Sequence, residues 1–114
     1  MPMTEFHTLY LPEKYAEQVR DLLQKHIPEA EVWAYGSRVR GDFYDASDLD
    51  LVARFPSTKK RDVFRLCAMA EAFQESNLPI IVQIIDWDGI PNSFREEILA
   101  KYVVVQKGAG DAMD

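Results

Sequence analysis

The stretch AYGSRVRGDFYDASDLDLVARF, residues 34–55, decides how this chain is read. It leaves one β-favouring segment through a Gly-Ser corner, crosses a polar loop, and enters an apolar segment carrying two aspartates, Asp48 and Asp50. Side chains two residues apart on a strand project from one face, with Cα atoms about 6–7 Å apart. Two carboxylates so placed repel, and one is driven toward its protonated form unless a cation joins them. Oxygen-only ligands favour Mg2+ or Mn2+ over zinc. The bland alternative is that Asp48 caps a turn after Ser47 while Asp50 faces solvent. The corner before them weighs against it. Gly36 lets the backbone approach a ligand closely, Ser37 offers a hydroxyl and an amide, and Arg38 and Arg40 add positive charge. An anion site followed by paired carboxylates is what a nucleoside triphosphate with its metal requires.

Outward from this stretch, the chain reads as helix, strand, strand, helix, strand, helix, strand. Tyr15, Ala16, Val19, Leu22, Leu23 and Ile27 recur at three- and four-residue spacing between Pro12 and Pro28, which predicts an amphipathic helix. Glu31 to Tyr35 and Leu49 to Phe55 are β-favouring runs closed by Gly36 and Pro56. Ser57 or Thr58 is the expected cap of a long helix to about Glu75, with Val63, Phe64, Leu66, Cys67, Ala70 and Phe73 facing inward. Ile80 to Ile85 is a β-branched third strand. Ser93 and Glu96 form a capping-box pattern that opens a helix through Ala100. Tyr102 to Gln106 is a fourth strand at an edge, and residues 107–114 read as a flexible tail. The order predicts an α/β domain, a mixed sheet of about four strands with flanking helices, filling residues 1–114 as one unit.

Composition narrows the function. At 114 residues and 47% hydrophobic content the chain suits one domain. A formal net charge of −6 argues against a basic surface for duplex nucleic acid. No apolar run is long enough for a membrane span, and the N-terminus has no signal-peptide core. Cys67 is the single cysteine, as expected in a reducing compartment, so a cytoplasmic protein is the expectation.

Gly36-Ser37-Arg38-Val39-Arg40-Gly41 followed by Ser47-Asp48-Leu49-Asp50-Leu51 resembles the signature of the minimal nucleotidyltransferases of the DNA polymerase β superfamily. The resemblance continues through Leu78 to Val105, and is closest to small stand-alone bacterial members encoded beside a helical HEPN-type protein. It implies a nucleotidyltransferase fold that moves a nucleoside monophosphate from an NTP, ATP above all, to a hydroxyl on such a partner, as an antitoxin does. It implies that Gly36 and Ser37 contact the triphosphate, with Arg38 and Arg40 nearby, that Asp48 and Asp50 hold Mg2+ or Mn2+, and that a hetero-oligomer forms. It also implies a third carboxylate on the third strand. Family members read Val-Asp-x-x-Asp-Trp there, whereas this chain reads Val82-Gln83-Ile84-Ile85-Asp86-Trp87. The third position is therefore Gln83, and Asp86 points to the opposite face unless a bulge turns it. The alternative reading follows from Gln83: a catalytically degenerate subunit that binds nucleotide or partner and acts by occlusion.

The remaining candidates have structural readings. His7 and His26 are expected at the surface, Cys67 in the core, and Trp33 and Trp87 in packing. Asp42 and Asp45 are expected to be solvated, as are Lys59, Lys60 and Arg61. Phe43 and Tyr44 lie in the loop where core packing does not account for them, and are expected to meet the partner.

Overall fold

Helix α1 (Glu13–His26) forms where the three- and four-residue spacing predicts it, with Pro12 at its N-cap and Ala16, Val19 and Leu23 buried. The computed structural model describes residues 8–56 and 63–108. After α1 come β1 (Glu31–Tyr35), the single-turn α2 (Ser37–Arg40), β2 (Leu49–Arg54) and α3 (Val63–Gln74). The chain then continues with β3 (Val82–Asp86), a 3-10 turn (Trp87–Gly89), α4 (Asn92–Ala100) and β4 (Val103–Gln106). The sheet order is β3-β2-β1-β4. β1 pairs antiparallel with both neighbours, and β2 and β3 are parallel, so the sheet is mixed. β4 is an edge strand, as expected.

Alternation along the strands splits the apolar side chains into two layers. Val32, Ala34, Leu49, Leu51 and Ala53 pack with Val19 and Leu23 of α1 and Met69 and Phe73 of α3. Trp33 and Val52 project from the other face and pack with Ile98 of α4, while Tyr102 stacks on Trp33 at 4.1 Å. Trp87 meets Trp33 edge-on at 5.4 Å, so both tryptophans are packing residues as expected. Gln106 is buried and ties the far edge down: its amide nitrogen donates to the carbonyls of Ile27 and Ala30, both at 2.9 Å.

Several local expectations are corrected. The buried positions of α3 are Met69 and Phe73, with Leu66 and Ala72 partly buried, whereas Phe64 is 86% exposed and Cys67 and Ala70 are also exposed. The helix is apolar nearly all round, so its periodicity did not select a face. Cys67 is therefore not a core residue. Ser93 sits inside the first turn of α4, whose N-cap is Pro91 without a side-chain cap bond, so the capping box is not formed. β3 runs one residue further than expected, to Asp86, and starts two later. The cap at Ser57 or Thr58, the Lys59-Lys60-Arg61 cluster, His7 and most of the tail lie outside the described residues.

Candidate active site

The pairing of three strands makes the site. In the antiparallel register Tyr35 stands opposite Asp50, and in the parallel register Asp50 stands beside Gln83. Tyr35, Asp50 and Gln83 thus form one row across β1, β2 and β3, on the α4 side of the sheet. Asp48 immediately precedes β2, and the Gln83 amide nitrogen donates to its Oδ2 at 3.1 Å. Both aspartates and the third-carboxylate position are brought together.

The Gly-Ser corner closes on this row from β1. Gly36 has φ 87° and ψ −156°, a backbone region that L side chains rarely adopt. Its carbonyl accepts from the amides of Val39 and Arg40, both at 3.0 Å, which turns the chain at once into α2. A Cβ at this position would lie 2.7 Å from Oδ2 of Asp50. Glycine is needed twice here, for the turn and for the space that the carboxylate occupies. Gly36→Ala should accordingly lose about 1–3 kcal/mol of stability and displace Asp50. Urea unfolding together with a transfer assay checks this; transfer should fall at least about tenfold, since small misplacements of catalytic groups are costly. Wild-type stability and rate in the variant would overturn the reading.

A shallow pocket of about 310 Å³ opens at this corner, lined by Ser37, Arg40, Asp42, Tyr44, Ala46, Ser47, Asp48 and Asp50. Two cavities of about 580 and 570 Å³ are larger, one behind the loop against Tyr10 and Phe43, the other along β3 and α3. Neither contains the carboxylate pair, so size does not mark the chemistry. Residues 42, 44 and 46 line the small pocket while Phe43 and Asp45 line the cavity behind, so the loop is a partition between the two.

The carboxylates are in electrostatic conflict. Burial, and then the negative charge of Asp48, raise the Asp50 carboxyl above its ordinary value of 3.8, and Arg40 opposes this. Tyr35 is pushed up to about 12 by burial and by Asp50. A cation between the aspartates would relieve both. Among the described residues no group of three or more His, Cys, Asp or Glu could hold a metal. The donors on hand are two carboxylates and one amide oxygen, a hard, oxygen-only set that fits a divalent cation such as Mg2+ or Mn2+.

Arg38 does not face this pocket. It is 3% exposed, and its Nε donates to the Ser47 carbonyl at 3.0 Å. Its terminal nitrogens reach the carbonyls of Tyr10 at 2.8 Å, Asp45 at 3.0 Å and Tyr44 at 3.5 Å. The expected phosphate contact from Arg38 is therefore not met in this geometry; the guanidinium moulds the loop that carries Asp48. Arg40 is the motif's exposed cation, resting against Asp42 at 3.3 Å. Such an exposed pair is weak and readily exchanged for a phosphate. Asp86 caps the 3-10 turn, accepting from the Asp88 amide at 3.1 Å, in an unbroken register with β2. No bulge turns it toward the site. Phe43 is also corrected: it stacks on Tyr10 at 5.4 Å and carries Arg38 over its ring, whereas Tyr44 is 72% exposed. Tyr35 was missed from the sequence. Its one signal was its place as the last strand residue before Gly36.

Comparison with known proteins agrees with this geometry. A family described as nucleotidyltransferase domain matches residues 13–105. The probable protein adenylyltransferase MntA of Haemophilus influenzae is 39% identical over 105 residues, covering 92% of this chain and 90% of that protein. A crystal structure of a toxin-antitoxin with AMP-PNP contains a chain that matches at a TM-score of 0.66 and 17% identity, over 86% of this chain and 77% of its own. A structure of the tri-AMPylated Shewanella oneidensis HEPN toxin in complex with MNT antitoxin matches at a TM-score of 0.62 and 15% identity, over 89% of this chain and 76% of that one. At such identities the two structures speak for the fold.

Proposed function

This chain belongs to the nucleotidyltransferase domain family, and from that premise we propose that it transfers AMP from ATP to a hydroxyl of a HEPN-type partner protein. The observation that carries the reading is the closure of Gly36 against the Asp50 carboxylate, 2.7 Å from where a side chain would begin. That contact sets the Gly-Ser corner, the proposed seat of the phosphates, directly beside a carboxylate pair. The relative from Haemophilus influenzae, named as a protein adenylyltransferase, favours transfer over nucleotide binding alone. The HEPN toxin in the Shewanella oneidensis complex is tri-AMPylated, which supports a protein acceptor.

Asp48 and Asp50 would hold Mg2+ or Mn2+. When bound, the ion offsets the negative charge that accumulates on the phosphates during transfer. The residues of the chain do the positioning. Gly36 and Ser37 seat the triphosphate at the start of α2, and Arg40 swings from Asp42 to meet the departing pyrophosphate. Arg38 and Ser47 keep the loop, and so Asp48, in place. The acceptor hydroxyl bonds through its oxygen to the α-phosphorus and releases its proton to solvent, as the bond between the α-phosphorus and the bridging oxygen breaks and pyrophosphate leaves with that oxygen. Chemistry of this kind is mostly positioning and charge neutralisation, which a small domain can supply. Tyr44, exposed at the rim of the pocket, is placed to touch an incoming partner.

The test is incubation with labelled ATP, Mg2+ and the product of the adjacent gene. The expected result is label on that partner and a mass gain of one nucleotide, both lost when a chelator removes the divalent ion. A complex with the partner that gains no label under these conditions would instead support the occlusion reading. Among the described residues no helix is long and apolar enough to cross a membrane.

A further inference from the structure

Resting on that reading of the site, we propose that Gln83 restricts it to a single divalent cation, the one that arrives with the nucleotide. Two cations in one site lie about 3.5–4 Å apart and repel strongly. Anionic ligands shared between them are what make the pair tolerable. Of Asp48, Asp50 and Gln83, which meet here, the two aspartates alone carry charge, because the β3 position in register with Asp50 is an amide. The amide does more than omit a charge. Its nitrogen donates to Oδ2 of Asp48 at 3.1 Å, so a partial positive charge already occupies one oxygen of the shared ligand. A second cation would have to displace that hydrogen bond and would receive, at most, the neutral amide oxygen in return.

Asp86 offers no remedy from the same strand. It lies in register with Ala53, three residues past Gln83, and its carboxylate caps the 3-10 turn. Arg40 and its partner Asp42 are at the pocket rim and exposed, where they can contact phosphates but do not complete a second cage. The phosphates themselves supply charge for one ion. That ion needs only one or two carboxylates from the protein, which Asp48 and Asp50 provide.

The measurement is Mn2+ binding to the full chain with saturating α,β-methylene-ATP, counted by electron paramagnetic resonance. The expected wild-type result is one Mn2+ per protein–nucleotide complex. Gln83→Asp, with its fold checked by circular dichroism, should take up a second Mn2+ at least about tenfold more tightly than the wild type, with the first little changed. Two ions of comparable affinity in the wild type would overturn the proposal, as would a single ion in a folded Gln83→Asp. If no Mn2+ is bound beyond what the nucleotide holds in free solution, the assignment of Asp48 and Asp50 as metal ligands falls, and the inference with it. The wild-type count needs no variant to fold.

Discussion

Replacing Asp48 and Asp50 together by asparagine should abolish transfer, by about a thousandfold or more, and at neutral pH should make the fold more stable. The first effect follows from the role proposed for them: an amide pair cannot neutralise or hold a divalent ion, and loss of one preorganised electrostatic group alone commonly costs about 10²–10³ in rate. The second follows from the conflict between them. Burial and the neighbouring Asp48 charge raise the Asp50 carboxyl above 3.8 in the folded chain. Between 3.8 and that raised value the folded state binds more protons than the unfolded state, so stability falls as pH rises through the interval. Above it the full cost of two adjacent charges persists. Asn at position 50 removes that cost, so wild type and Asp50→Asn should unfold at nearly the same temperature below pH 3.8, with the variant pulling ahead as pH rises. Thermal unfolding across pH without divalent ions, beside the transfer assay, reads both effects. An Asp50→Asn chain that is less stable at pH 7 would mean the carboxylate is a structural ligand of the fold.

Arg38→Ala should be the most damaging single substitution for folding, at about 3 kcal/mol or more. The guanidinium is 3% exposed and serves carbonyls from residues 10, 44, 45 and 47. Each buried acceptor left without a donor costs about 1–3 kcal/mol. Among the described residues no carboxylate is bonded to it; backbone carbonyl dipoles hold the charge. Arg38→Lys should recover only part of the loss, because one ammonium cannot span carbonyls spread around a planar fork. Urea denaturation gives the stability. Nucleotide titration of the folded lysine variant should show weakened binding, since Ser47 and hence Asp48 lose their anchor. Near wild-type stability in Arg38→Ala would show that water replaces the fork without penalty.

How much was legible beforehand depends on how local each feature is. α1, β1 and β2 could be placed from spacing and from Pro12, Gly36 and Pro56, because the physics there operates within a few residues. Asp48, Asp50 and Gly36 were likewise readable, since their oddity is intrinsic: charge in an apolar run, and glycine at a strand end. Arg38 was not. A cation two residues past a glycine reads as a phosphate ligand, and only the arrival of carbonyls from positions 10 and 44–47 turns it inward. Tyr35 and Gln83 join Asp50 through strand register, which depends on pairings made across the sheet. The face of α3 was misjudged for a different reason, because apolar residues surround that helix and Met69 was passed over in favour of Phe64 and Cys67.

The two bonds from Gln106 span 79 and 76 residues, and they impose an order in time. As the chain leaves the ribosome, α1, β1, β2 and β3 can gather first, but one edge of β1 has no neighbour until residues 103–106 emerge. Contacts this distant in sequence form late and slowly. Until then the buried carbonyls of Ile27 and Ala30 lack their donor, and an open strand edge faces other chains. The corner at Gly36 grows directly out of β1, the strand that lies between β2 and β4. The strand from which the corner leaves is thus enclosed only when the last strand of the sheet is in place.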